Sequence, residues 1–262
     1  MRRFMTIYSI FFKQYLKGLM EYRVDFLIGM FAFLFSQGTG LLFLYIIFQN
    51  VNALAGFGID EILLMYGLSL IPKGIDHLFF DNLWLLPRHI RQGGMDRYLL
   101  RPINPLYSFL IERFQPDAFG EIILGSALVI VTVIRLGVQL TIFNVFGALS
   151  FIFIGIFIFT ALKLLTSSTS FWLKNAYPLM QITYNISDYT KYPLLIFPKA
   201  IQWIMTFIIP FALISYYPAL YLLGSIDYLD VLIYITIVTS LLIFSALFVW
   251  NKGLKHYESA GS

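Results

Sequence analysis

From residue 26 onward the chain alternates long apolar runs with short polar ones, and the polar runs hold most of the charge. The first run, "FLIGMFAFLFSQGTGLLFLYIIF" at 26–48, is long enough for a helix to cross a bilayer, which takes roughly 20 residues. Comparable runs begin near Ile62 and cover about 118–136, 142–162 and 231–250. Residues 4–22 read differently. Phe4, Ile7, Tyr8, Phe11, Tyr15 and Leu19 recur at helical spacing, with Lys13 and Lys17 one turn apart on another face, so this segment is predicted to lie along the membrane surface. The interfacial element spans 1–24 and, lacking a small-residue cleavage site, reads as retained.

The region 163–224 offers two candidate spans, the moderately polar "YPLMQITYNISDYTKYPLLIF" (177–197) and the strongly apolar "AIQWIMTFIIPFALISYYPALYLL" (200–223). Both cannot cross. Seven crossings would place Lys252 and Lys255 outside, against the bias of every other loop. Pro210 and Pro218 lack the backbone N–H that a straight helix uses, so 198–223 is the easier segment to break into a re-entrant hairpin, although hydropathy alone favours the opposite choice.

Loop charge fixes the expected orientation. The stretch 49–61 has no lysine or arginine and is assigned outside, whereas Arg88, Arg91, Arg97, Arg101 and Arg113 mark the cytoplasmic side. Arg135, beside the outer turn at Gly137, is a mild exception. Both termini are expected to be cytoplasmic in an inner-membrane, multi-pass protein.

Composition agrees. Of 262 residues 59% are hydrophobic and 12% charged, where a soluble domain carries about 25% charged residues. The net charge of +4 could suggest nucleic acid, but no compact basic domain exists to bind it. The absence of cysteine removes disulfides, thiolate metal sites and a cysteine nucleophile. The sequence contains no GxxxxGK[ST] phosphate loop, no HExxH and no GxSxG, so it is not read as an enzyme and no cofactor is expected in it.

Several polar groups interrupt the apolar runs. Lys73, Asp76 and His77 stand at spacings that allow pairing within one helix, which predicts mutual neutralisation; the alternative is a polar lining of a transport path or a proton relay. Asp76 and Asp81 are separated by about 140° on an ideal helix and are not expected to share a site. Asp188 shares a face with Tyr184 and Asn185, which must meet a cavity if that segment crosses and otherwise belongs to a surface or interfacial segment. The small and polar run from Ser36 to Gly40 predicts close helix packing, with substrate contact through Gln37 and Thr39 as the alternative. Gln37, Thr39, Asp76, Tyr184, Asn185 and Asp188 are therefore the candidate lining of a substrate pathway.

The stretch "IRQGGMDRYLLRPINPL" (90–106) is unlike the rest. Gly93-Gly94 breaks a helix, "MDRYLL" restarts one with Asp96 near its positive end, and Pro102 and Pro105 close it. The arginines alone would anchor topology. The glycines, Asp96 and prolines also specify a shape, a short helix within the loop 87–115, offered as a docking surface for a cytoplasmic partner.

Within that stretch, "GGMDRYLLRPINPL" resembles the G-x-(L/M)-D-x-x-L-x-x-P-x-x-P-L segment of permease subunits of ABC-2 type exporters, in the bacterial branch known simply as ABC-2 family transporter proteins. "EYRVDFL" (21–27), "SFW" (170–172), "YPLLIFP" (192–198), "IPFALISYYPA" (209–219) and "GLKHYESAGS" (253–262) agree with it in order. The resemblance implies an all-α integral membrane domain covering 1–262, with six transmembrane helices, a cytoplasmic coupling helix between spans two and three, and an extracellular re-entrant segment between spans five and six. It favours a fifth span at about 176–193 and a re-entrant 198–223. It implies a separate ATP-binding subunit, which would hold the ATP and magnesium, a second permease that is identical or related, and outward transport. Met95, Asp96, Arg97, Tyr98, Leu99 and Arg101 become the expected contacts to the ATPase. An ion-coupled secondary transporter using Asp76 or Asp188, or a non-transporting assembly subunit, are the other classes open at this point.

Overall fold

A computed structural model of the chain describes residues 23–173 and 175–259. The expected interfacial helix lies almost wholly outside the described residues, as does the end of the tail from 260. The principal helices are α1 (Arg23–Asn50), α2 (Ile59–Phe80), α3 (Leu86–Arg91), α4 (Asp96–Leu99), α5 (Pro105–Leu110), α6 (Phe119–Arg135), α7 (Ile142–Ser168), α8 (Tyr177–Ser187), α9 (Lys199–Trp203), α10 (Tyr216–Leu222) and α11 (Tyr228–His256). Among the described residues five stretches, Leu27–Asn50, Ile59–Arg91, Pro116–Arg135, Ile142–Phe171 and Tyr228–His256, are long and apolar enough to cross a membrane. A sixth exists if Lys199–Ile208 and Phe211–Leu222 count as one bent span. The described chain is thus an all-helical, multi-pass membrane protein.

Helix ends follow local chemistry. Glu61 Oε2 accepts from Gly58 N at 2.6 Å to start α2, and Thr141 Oγ1 accepts from Asn144 N at 3.2 Å to start α7. The fourth span continues beyond the expected 162, to Ser168. Its terminal hydroxyls are absorbed by the helix itself: Thr166 donates to Leu162 O at 2.8 Å and Ser168 to Leu164 O at 2.6 Å.

α8 has 11 residues, about 17 Å at 1.5 Å per residue, and continues only as a 3-10 turn over Asp188–Lys191. Tyr192, extended because Pro193 follows, ends it. The segment expected as a span at about 176–193 is thus helical over 177–191, as α-helix and then as a 3-10 turn. The apolar segment after it is broken as its prolines predict: α9 runs into a π-helical turn at Ile204–Ile208, and the pair bends by 75° at Ile209–Pro210. Ser215 Oγ donates to Thr190 O at 2.7 Å, tying the two segments together.

α2 is the centre of the bundle and α1 its periphery, since 72% of the apolar window of α2 is buried against 6% for α1. Helices in lipid associate through close packing, because lipid tails are as apolar as leucine. The α2–α6 crossing shows this. A Cβ on Gly67 would sit 2.8 Å from Gly125 O, so only glycine permits the approach. Around α7 and α11, Phe151, Ile158, Ile235, Ala246 and Trp250 form a core that continues without a break into Leu83, Met95, Tyr98 and Phe109 of the loop after α2.

Candidate functional site

One turn of α2 carries Lys73, Asp76 and His77, and the structure sends each to a different neighbour. Lys73 Nζ lies 3.0 Å from Asp188 Oδ1 after α8, His77 Nδ1 lies 2.9 Å from Glu121 Oε2 on α6, and Asp76 Oδ2 lies 2.6 Å from Lys163 Nζ on α7. The expected pairing inside one helix is replaced by pairing across three interfaces. A central helix packed on all sides presents every side chain to a neighbour, and an intramembrane charge takes the nearest opposite one.

Lys163 also reaches Asp81 Oδ1, at 3.4 Å. Asp76 and Asp81 do share a site, against the helical-angle argument, because the shared cation comes from another helix and sits between them. Asp81 also leaves the α-helical register, since the chain turns 3-10 at that residue. Thr160 Oγ1 adds a hydrogen bond to Asp76 Oδ1 at 2.7 Å. Tyr184 stacks on His77 at 5.4 Å, meets Trp84 edge-on at 5.5 Å, and takes Lys73 Nζ over its ring at 4.3 Å. Glu121 and Lys163 were not singled out in the sequence. Each is a lone charge within an apolar run, and that signal was sufficient to find it.

Beside this hub a polar cleft of about 120 Å³ opens between α1, α2 and the 3-10 turn at Asp188–Lys191. Gln37, Tyr66, Lys73, Asp188 and Lys191 line it. Tyr66 donates its hydroxyl to Gln37 Oε1. Close packing of the small-residue run is not what forms here, since a Cβ on Gly38 would meet nothing within 4 Å. The expected pathway residues divide. Gln37 and Asp188 line this cleft, while Asp76 and Tyr184 line a neighbouring cavity with Lys163 and Trp84. Thr39 turns back on its own helix, bonding Ser36 O at 2.6 Å, and Asn185 accepts from Gln181 Nε2 at 2.8 Å on the exposed side of α8.

At the end of α2 the chain builds an elbow. Gly93, at φ 68°, makes the turn that lets α4 begin at Asp96. Asn104 Oδ1 accepts from Tyr107 N at 3.2 Å and Pro105 opens α5. Between these helices Arg97 lies 2.8 Å from Glu112 and donates to Tyr98 OH at 2.6 Å, while Arg101 donates to Ser108 Oγ at 3.0 Å. Tyr98 packs on Phe109 at 5.0 Å and on His89 at 5.7 Å. Burial pushes the Tyr98 phenol up to about 12, with its hydrogen bond to Glu112 acting the same way.

The family model described as ABC-2 family transporter protein matches residues 34–261, nearly the whole chain. The chain belongs to the ABC-2 transporter family. Neither the curated proteins nor the solved structures contain a match to it. For this ABC-2 family protein the elbow needs one revision. Met95 and Tyr98, expected to touch a partner, are both fully buried in the core. Asp96 is taken up internally, accepting from Tyr257 OH at 3.0 Å and from Ser259 Oγ at 2.5 Å. The outward surface is instead Arg97, Leu99 and Leu100, the last 85% exposed. A short helix with an alternating face buries every third or fourth side chain, and spacing alone does not tell which.

Proposed function

We infer that this chain is the transmembrane permease of an ATP-driven exporter, with the elbow as its cytoplasmic coupling helix and hydrolysis performed by a separate subunit holding ATP and magnesium. The observation that carries the reading is the outward pair Leu99–Leu100 on a helix braced by Arg97–Glu112 and Arg101–Ser108, in an ABC-2 family chain with no phosphate loop. A braced helix with exposed leucines transmits a push to whatever it is packed on, and here that is the core under α7 and α11. Motion of the elbow would reach the three ion pairs of α2, which join α2 to α6, α7 and the turn after α8. Switching access between the two sides then amounts to tilting these helices as a unit around α2.

In this reading the 3-10-extended α8 supplies the fifth crossing, the bent segment 199–222 returns to the outer side, and the pathway runs along α1, α2 and α8. A second permease, identical or related, packs against the little-buried α1. The substrate is hydrophobic or amphipathic. An ion-coupled mechanism would need Asp76 or Asp188 as a free cation site, and each is already matched by a lysine.

The test uses the absence of native cysteine. Leu100→Cys, expressed in the intact assembly, should crosslink to a subunit that an ATP photoaffinity analogue also labels. No such product, or labelling of the introduced thiol by an impermeant reagent added outside intact cells, would refute the coupling assignment.

A further inference from the structure

The cleft beside α1 holds more cationic groups than anionic ones. Its charged groups are two ammoniums, Lys73 and Lys191, and one carboxylate, Asp188. Asp188 is committed to Lys73 at 3.0 Å. Lys191 has no carboxylate within 4.0 Å among the described residues; its ammonium rests over the rings of Tyr66, at 5.8 Å, and Tyr192, at 5.4 Å. The Gln37 carbonyl is occupied by the Tyr66 hydroxyl, so its amide N–H groups are left as donors on the same wall. Gly40 borders the cleft beside Lys191: a Cβ there would stand in ordinary contact with Lys191 Nζ, at 3.7 Å, so a longer side chain would reach across the mouth.

This excess of positive charge lies beside the middle of an apolar helix. An unmatched ammonium there is costly unless water or an anion compensates it, and ionisable groups at such depth mark binding or transport sites. The surroundings specify what kind of anion. On the same helix Phe43, one turn from Gly40, is 56% exposed, giving apolar surface beside the polar cleft. We propose that the cleft binds the anionic headgroup of an amphiphile, with Lys191 and the Gln37 amide on its oxygens and its apolar part along α1. Binding stands on this geometry. That the bound amphiphile is the transported substrate rests on the exporter reading.

The full chain in nanodiscs of phosphatidylcholine and phosphatidylglycerol with matched acyl chains, released into native mass spectrometry, tests the site without any ATPase. The wild type should retain phosphatidylglycerol about tenfold over phosphatidylcholine, equivalent to about 1.4 kcal/mol. Lys191→Gln should abolish that preference and Lys191→Arg should keep it, whereas Lys252→Gln, at an exposed position on α11, should change nothing. If Lys191→Gln does not fold, Gly40→Leu, which fills the mouth of the cleft, should show the same loss. Soluble glycerol phosphate separates the sources: displacement of the lipid identifies a free phosphate compound as the ligand, and no displacement identifies the lipid. Equal retention of both lipids, or a Lys191→Gln protein that keeps the preference, overturns the proposal. The crosslinking outcome at Leu100 does not enter, so failure of the exporter reading and failure of this site are distinguishable.

Discussion

Lys163 Nζ lies 2.6 Å from Asp76 Oδ2 in a place where Asp76 is completely buried, an ion pair that joins α7 to α2. Removing one partner of such a pair leaves the other charge uncompensated, at a cost of about 3–5 kcal/mol. Lys163→Met should therefore lower the unfolding temperature in detergent steeply. Adding Asp76→Leu to it should recover part of the loss, because the fully buried one of the two stranded carboxylates is then gone and only Asp81 is left without the lysine. A double variant no more stable than the single one would show that the pair is not the joint between these helices.

Leu100 and Tyr98 are two residues apart and should behave oppositely. Leu100→Asp, on an 85% exposed side chain, should leave melting within about 0.5 kcal/mol of wild type while reducing recovery of the ATP-binding subunit by more than about tenfold. Tyr98→Ala, at a fully buried position, should cost about 3–5 kcal/mol and lower yield before any binding is measured. Pull-down and thermal unfolding of both variants, side by side, check the inward and outward assignment.

The bonds from Tyr257 and Ser259 to Asp96 tie the chain after α11 to the start of α4. A hydrogen bond to a charged group contributes about 1.5–3 kcal/mol. Tyr257→Phe should therefore speed trypsin cleavage after Lys255, read by the release of the terminal peptide. The latch is also pH-dependent. Burial first, then the hydrogen bond to Asp96, pushes the Tyr257 phenol up to about 12 from its ordinary 10.0. A raised value favours the neutral hydroxyl in the folded chain, so the latch is fully present below pH 10 and is lost as pH rises through about 12. Cleavage in the wild type should accelerate in that window and stay flat in Tyr257→Phe.

The α2–α6 crossing depends on Gly67, where a Cβ would sit 2.8 Å from Gly125 O and 2.9 Å from Val129 Cγ2. Gly67→Val should cost about 1–3 kcal/mol by overpacking and push α6 away from α2. Because His77 and Glu121 face each other across the same interface, cysteines placed at 77 and 121 should form a disulfide less readily in that background. An unchanged crosslinking rate would mean that the helices move apart without disturbing the pair.

How much was legible in the sequence follows from what a local pattern can encode. Apolar periodicity and length located α1, α6, α7 and α11, and Pro210 located the bend, because a missing N–H breaks a helix wherever it falls. Gly93, Asp96, Asn104 and Pro105 located the elbow for the same reason. Pro178 and Pro193 bound the segment of α8, whereas its change from α-helix to a 3-10 turn at Asp188 was not legible in the hydropathy. Lys163 and Glu121 were visible as lone charges but had no assignable partner.

The sequence by itself determined that this is a helical membrane protein with a shaped loop after its second span and no phosphate loop of its own, because chain length, hydropathy and backbone-restricting residues act within a few turns. The tertiary structure alone decided that Lys73, Asp76 and His77 bind three separate segments, that Asp76 and Asp81 share Lys163, and that Lys191 faces the cleft with its one carboxylate, Asp188, paired to Lys73. Those outcomes depend on which helices approach and how closely. That is set by glycine contacts and side-chain packing between residues scores of positions apart, which no local pattern records.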